Sequence, residues 1–181
     1  MIDFTTSIKH LLLLIFFLIN TTLMAQEKKL QIGDQAPAFV LKSIEDEYVY
    51  LRDYCGELRA PIKDKRQHVV IISFFATWCE PCHKEIEELT EVLGEFENQP
   101  IKVLLIDLKE EKSTVESFLK GRNYPGIILL DKYGVAAKSY GVTTIPRSFV
   151  VNRDGKLVWQ AEGYQQDFRQ QIRSVLNKLF P

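Results

Sequence analysis

Cys79 and Cys82 stand with two residues between them, and of all positions in this chain their type and spacing are the best suited to act together. Thiols three positions apart on a helical turn come close enough to bridge reversibly after modest adjustment. A thiolate there also gains from the unpaired N–H groups and dipole of a helix N-terminus. The flanking residues predict such a terminus. Val69 to Phe75 is β-branched or aromatic apolar apart from Ser73, the pattern of a strand buried on both faces. The run breaks at Ala76-Thr77-Trp78, after which Cys82, Ile86, Leu89, Leu93 and Phe96 share one helical face. Pro81 fits a first helical turn, where its missing N–H is no loss.

Two other chemistries use cysteine pairs. Structural zinc needs two more ligands, and the remaining candidates Cys55, His68 and His83 form no second pair at regular spacing. Cys79 to His83 also reads C-x-x-C-H, the pattern of covalent haem attachment. No methionine follows Met24 to act as a sixth ligand, and a strand leading into the motif suits a sheet protein better than a haem pocket. The expectation is therefore a redox dithiol with no metal and no cofactor.

Phe75 to Cys82, FATWCEPC, resembles the active-site segment of thioredoxin-like thiol-disulfide oxidoreductases, and most closely the extracytoplasmic TlpA/ResA-like branch of the redoxin, AhpC/TSA-like group. A second anchor is Thr144-Ile145-Pro146, and Gly33 to Phe39 resembles the opening of TlpA-like and peroxiredoxin-like domains. The resemblance covers most of the chain after about residue 30. It implies an α/β, thioredoxin-like fold, a central mixed β-sheet flanked by helices with an N-terminal β-hairpin extension. It also implies a cis peptide bond before Pro146, facing the cysteines. Trp78, Thr144, Ile145 and Pro146 would then receive a partner, the main chain at Thr144 and Ile145 pairing with an extended peptide.

Roles follow from that resemblance and from charge. Cys79, at the exposed end of the helix, is expected to attack a partner disulfide, and Cys82 to resolve the mixed disulfide. Cytosolic thioredoxins carry a buried aspartate six residues before the first cysteine, where this chain has Ser73. Glu85, three residues beyond Cys82 as in ResA-like CEPCxxE, is the expected substitute base, and partial burial would raise its pKa towards neutrality. Glu80 and Pro81 tune the pair: the Glu80 charge disfavours the Cys79 thiolate and so favours a reductant. Arg147, where many relatives carry a small polar residue, would lower the Cys79 pKa unless it points to solvent.

The elements that must position these residues can be read along the chain. Residues 1–25 have the three parts of a secretory signal: Lys9 and His10, an apolar run from Leu11 to Ile19, and a polar then small exit to Ala25. The apolar run is short for a membrane span, so cleavage after Ala25 is expected, with an uncleaved anchor as the alternative. Residues 26–181 then form one domain. Phe39–Leu41 and Tyr48–Leu51 are expected as the hairpin strands, and residues 54–67 as a surface loop opened by the unpaired Cys55, which is read as passively buried rather than as a partner site. Strands are predicted over Ile101–Leu108, Ile127–Leu130, Phe149–Asn152 and Lys156–Gln160, the last two joined by a turn at Asp154-Gly155. Helices are predicted over Ser113–Leu119, with Ser113 and Glu116 as a capping box, over Tyr133–Tyr140, and from Phe168 to Leu179. Strands alternating with helices again give an α/β layered sheet.

The functional expectation is an extracytoplasmic, periplasmic reductant of protein disulfides, monomeric, supplied with electrons by a membrane thiol-disulfide donor, with cytochrome c maturation or a general envelope dithiol pathway as the role the family implies. A disulfide oxidant or isomerase, a thiol peroxidase, and a haem- or metal-carrying binding protein are the rival readings. Net charge is −1 and the basic residues are scattered, which offers nothing to nucleic acid.

Overall fold

The computed structural model describes residues 30–58 and 67–181. The expected signal segment, and residues 59–66 of the expected surface loop, lie outside them. Alternating apolar runs and amphipathic stretches form seven strands and four α-helices among the described residues, in the order β1 (Val40–Ser43), β2 (Tyr48–Tyr50), β3 (Val69–Phe75), α1 (Glu80–Gly94), β4 (Ile101–Leu108), α2 (Lys112–Leu119), β5 (Ile127–Asp131), α3 (Val135–Ser139), β6 (Arg147–Val151), β7 (Leu157–Glu162) and α4 (Phe168–Leu179). The strands make one mixed sheet, β2-β1-β5-β4-β3-β6-β7. β3, β4 and β5 run parallel, whereas β6 and β7 join on one side and β1 and β2 on the other by antiparallel pairing. This is the expected α/β architecture with its N-terminal hairpin.

Every residue of β3 is buried, as its unbroken apolar run requires. Its alternate residues feed two cores. Val69, Ile71 and Phe75 pack with Ile86 and Leu89 of α1, Val115 of α2, and Ile172 and Leu176 of α4. Val70, Ile72 and Phe74 pack on the opposite face with Ala136 and Ala137 of α3, Tyr140, and the N-terminal residues Val49 and Leu51. The two-residue period of a strand thus decides which side chains meet α1.

Several local readings change. The Ser113 and Glu116 capping box does not form: α2 starts one residue earlier, with Glu111 at its N-cap position and no side-chain cap, so Ser113 already lies inside the first turn. α3 starts at Val135 rather than Tyr133, because Gly134 takes a left-handed φ of 66° and buried Asp131 accepts the N–H groups of Val135 and Ala137, both at 2.8 Å. β6 begins at Arg147, two residues before the predicted start, and β7 runs on to Glu162. The stretch after Tyr54 is not all surface: Cys55 and Gly56 are buried. Its base is closed by hydrogen bonds from His68 N–H to Tyr54 O and from Gln67 Nε2 to Gly56 O.

Candidate active site

β3, an interior strand of the sheet, runs into α1 at its C-terminal end, and the chemistry collects there. Cys79 and Cys82 form a disulfide with an S–S distance of 2.00 Å and a Cα–Cα distance of 5.3 Å. Cys79 is the N-cap residue of α1, and its carbonyl accepts the N–H groups of Cys82 and His83. Pro81 sits within the first turn, as its missing N–H allows. The exposed position foreseen for Cys79 is not what the fold provides. With 4% of its surface exposed, Cys79 belongs to the buried cluster that holds Cys82 and packs against Ile145, while its neighbour Trp78 is 73% exposed. The Glu80 side chain extends into solvent, and its carboxylate lies 3.9 Å from His83 Nδ1. His83 itself is held by Ala76 O and packs on the ring of Phe118.

The Ile145–Pro146 peptide bond is cis. Pro146 is buried and its carbonyl accepts the Gly163 N–H, whereas Thr144 is exposed. Among the described residues, the main-chain groups of Thr144 and Ile145 have no backbone hydrogen-bond partner. The Thr144 hydroxyl donates to Glu162, which also pairs with Arg147 at 3.5 Å.

Arg147 does not point to solvent, and its sheet face is not the one that meets α1. It is buried, its guanidinium lies over the Phe149 ring, and it donates to Gln160 at 2.6 Å. Strand alternation is the reason: Arg147 shares its sheet face with Phe149 and Val151, opposite the face of Ser148 that meets α1. Burial pushes its pKa down and the Glu162 charge opposes this.

Glu85 lies one turn beyond Cys82 on α1 and is 1% exposed. Ser148 Oγ donates to its Oε1 at 2.5 Å, while Oε2 is buried without a hydrogen-bond partner. Burial is the main reason that the carboxyl is pushed up to about 7. The Ser148 and Ser73 hydroxyls oppose that rise, and the nearby Glu88 charge adds to it. Ser73 and Ser148 are register partners on β3 and β6, so the one polar position in the apolar run of β3 belongs to this site.

A second acidic pair was not foreseen. Asp107, on β4 beside Phe75, is fully buried, and its Oδ1 accepts the Glu110 N–H at 3.3 Å. Glu110 accepts the N–H of Thr77 at 2.6 Å and its hydroxyl at 2.7 Å, bracing the segment that leads into Cys79. Burial, with the neighbouring Glu110 charge, pushes the Asp107 carboxyl up to about 8. Burial also acts to raise Glu110, but the interactions with Asp107 and Thr77 outweigh it and the net shift is downward. The sequence signal was a lone acid within the apolar run of β4 at residues 103–108.

Cys55 stands apart from this site, 2% exposed, with burial pushing its thiol up to about 12. This agrees with passive burial.

The AhpC/TSA family profile matches residues 32–160. A thiol-disulfide oxidoreductase ResA of Bacillus cereus is 29% identical over 157 residues, covering 87% of this chain and 83% of that protein. A ResA of Bacillus thuringiensis subsp. konkukian is 30% identical over 156 residues, covering 86% and 83%. Among solved structures, a protein of Chlorobium tepidum described as a thiol:disulfide interchange protein DsbE superimposes with a TM-score of 0.72 at 25% identity, covering 83% of this chain and 99% of that one.

Proposed function

This chain belongs to the AhpC/TSA family, and from that premise we propose that it is an extracytoplasmic thiol-disulfide oxidoreductase that reduces protein disulfides through Cys79 and Cys82. The observation that carries the reading is the redox pair at the start of α1 with the buried, near-neutral carboxyl of Glu85 one turn behind it. The named relatives support the reaction class.

In the reduced protein the Cys79 thiolate attacks one sulfur of a partner disulfide; that S–S bond breaks, the second partner sulfur leaves as a thiolate, and a mixed disulfide forms. Cys82 then gives its proton to Glu85, attacks Cys79, and releases the other partner sulfur. Two electrons pass to the partner, which becomes a dithiol, and the Cys79–Cys82 disulfide is formed. Glu85 suits the proton step because a carboxyl near neutrality can accept a proton and lose it again. Trp78 and the free main chain of Thr144 and Ile145 beside Pro146 provide the surface for an extended partner. Glu80 leaves the reduced pair less stabilised, which favours electron donation. Glu80 and Pro81 are thus tuning residues, and electrons return from a membrane thiol-disulfide donor.

The N-terminal segment supports export to the periplasm, where an envelope dithiol pathway such as cytochrome c maturation would use a reductant. Among the described residues no helix is long and apolar enough to cross a membrane. The test is the reduction potential of Cys79–Cys82 with Cys55→Ser. A value near or below roughly −250 mV is expected, and one near roughly −120 mV would make the protein an oxidant and overturn the assignment.

A further inference from the structure

Beside the disulfide, on the side of Trp78 and the Thr144–Ile145 segment, lies an open groove of about 880 Å³ that continues along α3, from Tyr133 just before it to Lys138 in its last turn. Two aromatic side chains on it are exposed, Trp78 at 73% and Tyr133 at 81%, an arrangement that favours a partner over water. The charges around the groove are not balanced. Glu110 is turned inward onto Thr77, and Asp131 onto the N–H groups of Val135 and Ala137. Glu111 is paired with Lys132 at 2.8 Å. Lys109 and Lys138, both exposed on the groove, form no ion pair with a described residue.

Lys109 is held there by the backbone. Its φ is 63°, a left-handed conformation that side-chain-bearing residues adopt at a cost and that tends to mark functional positions. Its N–H donates to Asp131 O, and its stem runs over Gly134, where an added methyl carbon would come within 2.9 Å of Cε. On the other side of Trp78, along the first turns of α1, the exposed residues Glu80 and Glu87 outnumber the one cation beside them, Arg122, whose guanidinium lies over the Phe118 ring and donates to Phe118 O.

We propose that the groove selects disulfide partners that carry a carboxylate side chain beside an apolar one near the reactive cysteine, the apolar group resting on Trp78 and Tyr133 and the carboxylate meeting Lys109 and Lys138. This rests on the thiol-disulfide reading and adds the class of partner. The lysines attract the carboxylate while Glu80 and Glu87 repel it, so the charges also set the direction in which the segment crosses Cys79.

The test uses the reduced full-length protein and disulfide-linked peptides that carry Phe next to cysteine and, beyond it, Glu, Gln or Lys. The rate of peptide thiol release is compared within each protein, one protein dithiol being oxidised for each peptide disulfide reduced. The Glu peptide should react roughly fivefold faster than the Lys peptide at low ionic strength, and the two rates should converge in about 1 M salt. In the double variant Lys109→Glu, Lys138→Glu the order should reverse, whereas Lys178→Glu, on α4 away from the groove, should leave the ratio unchanged. Equal rates for the Glu and Lys peptides in the unmodified protein at low salt would overturn the groove assignment while leaving the reductase reading intact, as would a preference that survives the double charge reversal. Failure to reduce even the Gln peptide would overturn the reductase reading, and the groove assignment with it.

Discussion

Ser148 donates a 2.5 Å hydrogen bond to Glu85 across 63 positions of sequence, tying the strand that follows Pro146 to the helix that carries Cys82. The carboxyl proposed to exchange a proton with Cys82 is thus fixed from the far side by the strand that follows the proposed partner-receiving segment. A group that must move protons gains from being held in one place, because its hydrogen bonds and desolvation then set its affinity.

Glu85→Gln keeps the size of the side chain and removes its titration. The pH profile of Cys79 and Cys82 reactivity towards a thiol reagent should show a step near pH 7 in the unmodified protein and lose it in the variant. A profile that Glu85→Gln leaves unchanged would remove Glu85 from the mechanism. Stability should respond as well. The folded carboxyl sits near 7 instead of the ordinary 4.5, so between those values the folded state holds a proton the unfolded chain has lost. Stability therefore falls as pH rises through this window and stays lower above it, by roughly 3 kcal/mol, and denaturant titrations of Glu85→Gln should lack this loss.

Asp107 adds a slope of the same sign, from the ordinary 3.8 up to about 8. Asp107→Asn should therefore keep more of its stability than the unmodified protein as pH rises from about 4 to about 8, with no further divergence above that, read by thermal melts across pH. Glu110→Ala should act differently, by removing both hydrogen bonds to Thr77. The expected cost is about 1–3 kcal/mol, with faster hydrogen exchange at the Thr77 amide as the local signature.

The Cys55 thiol is buried and its proton is held to about 12. In the folded, oxidised protein it should resist alkylation at pH 8 and react only at the rate of opening, so that labelling accelerates with denaturant. Prompt labelling under native conditions would restore it as a partner site.

Gly126 precedes β5 with φ 79°, and a methyl group there would meet Val103 O at 2.3 Å. The contact is with backbone, which cannot swing aside. Gly126→Ala should cost about 2–4 kcal/mol, measured as a shift of the denaturation midpoint, through both the left-handed φ and the clash between β4 and β5.

Much of this molecule is local in origin. The bounds of the strands Val69–Phe75 and Ile101–Leu108 were legible to the residue, because a mostly apolar, β-branched-rich run is written in neighbouring positions even where Ser73, Lys102 or Asp107 interrupts it. Helix ends were less legible. The cap of α3 comes from Asp131 at the end of β5, and α2 uses no side-chain cap although serine and glutamate stand at capping-box spacing. Such ends depend on where the chain arrives in space, beyond the reach of a three-residue pattern.

By itself, the sequence determined the Cys79–Cys82 pair, its place at a helix start and Glu85 as the acid one turn behind Cys82, each resting on spacing along one element, and the α/β alternation, which rests on the order of local patterns. Tertiary structure alone decided that Ser73 and Ser148 flank that acid, that Glu110, itself bonded to Asp107, braces Thr77, that Arg147 packs over Phe149, and that the Lys109 stem crosses Gly134. Those relationships arise when β3 takes β4 and β6 as neighbours and one register fixes which alternate residues face α1. Strand order and register are properties of the packed sheet, set by burial of both its faces at once.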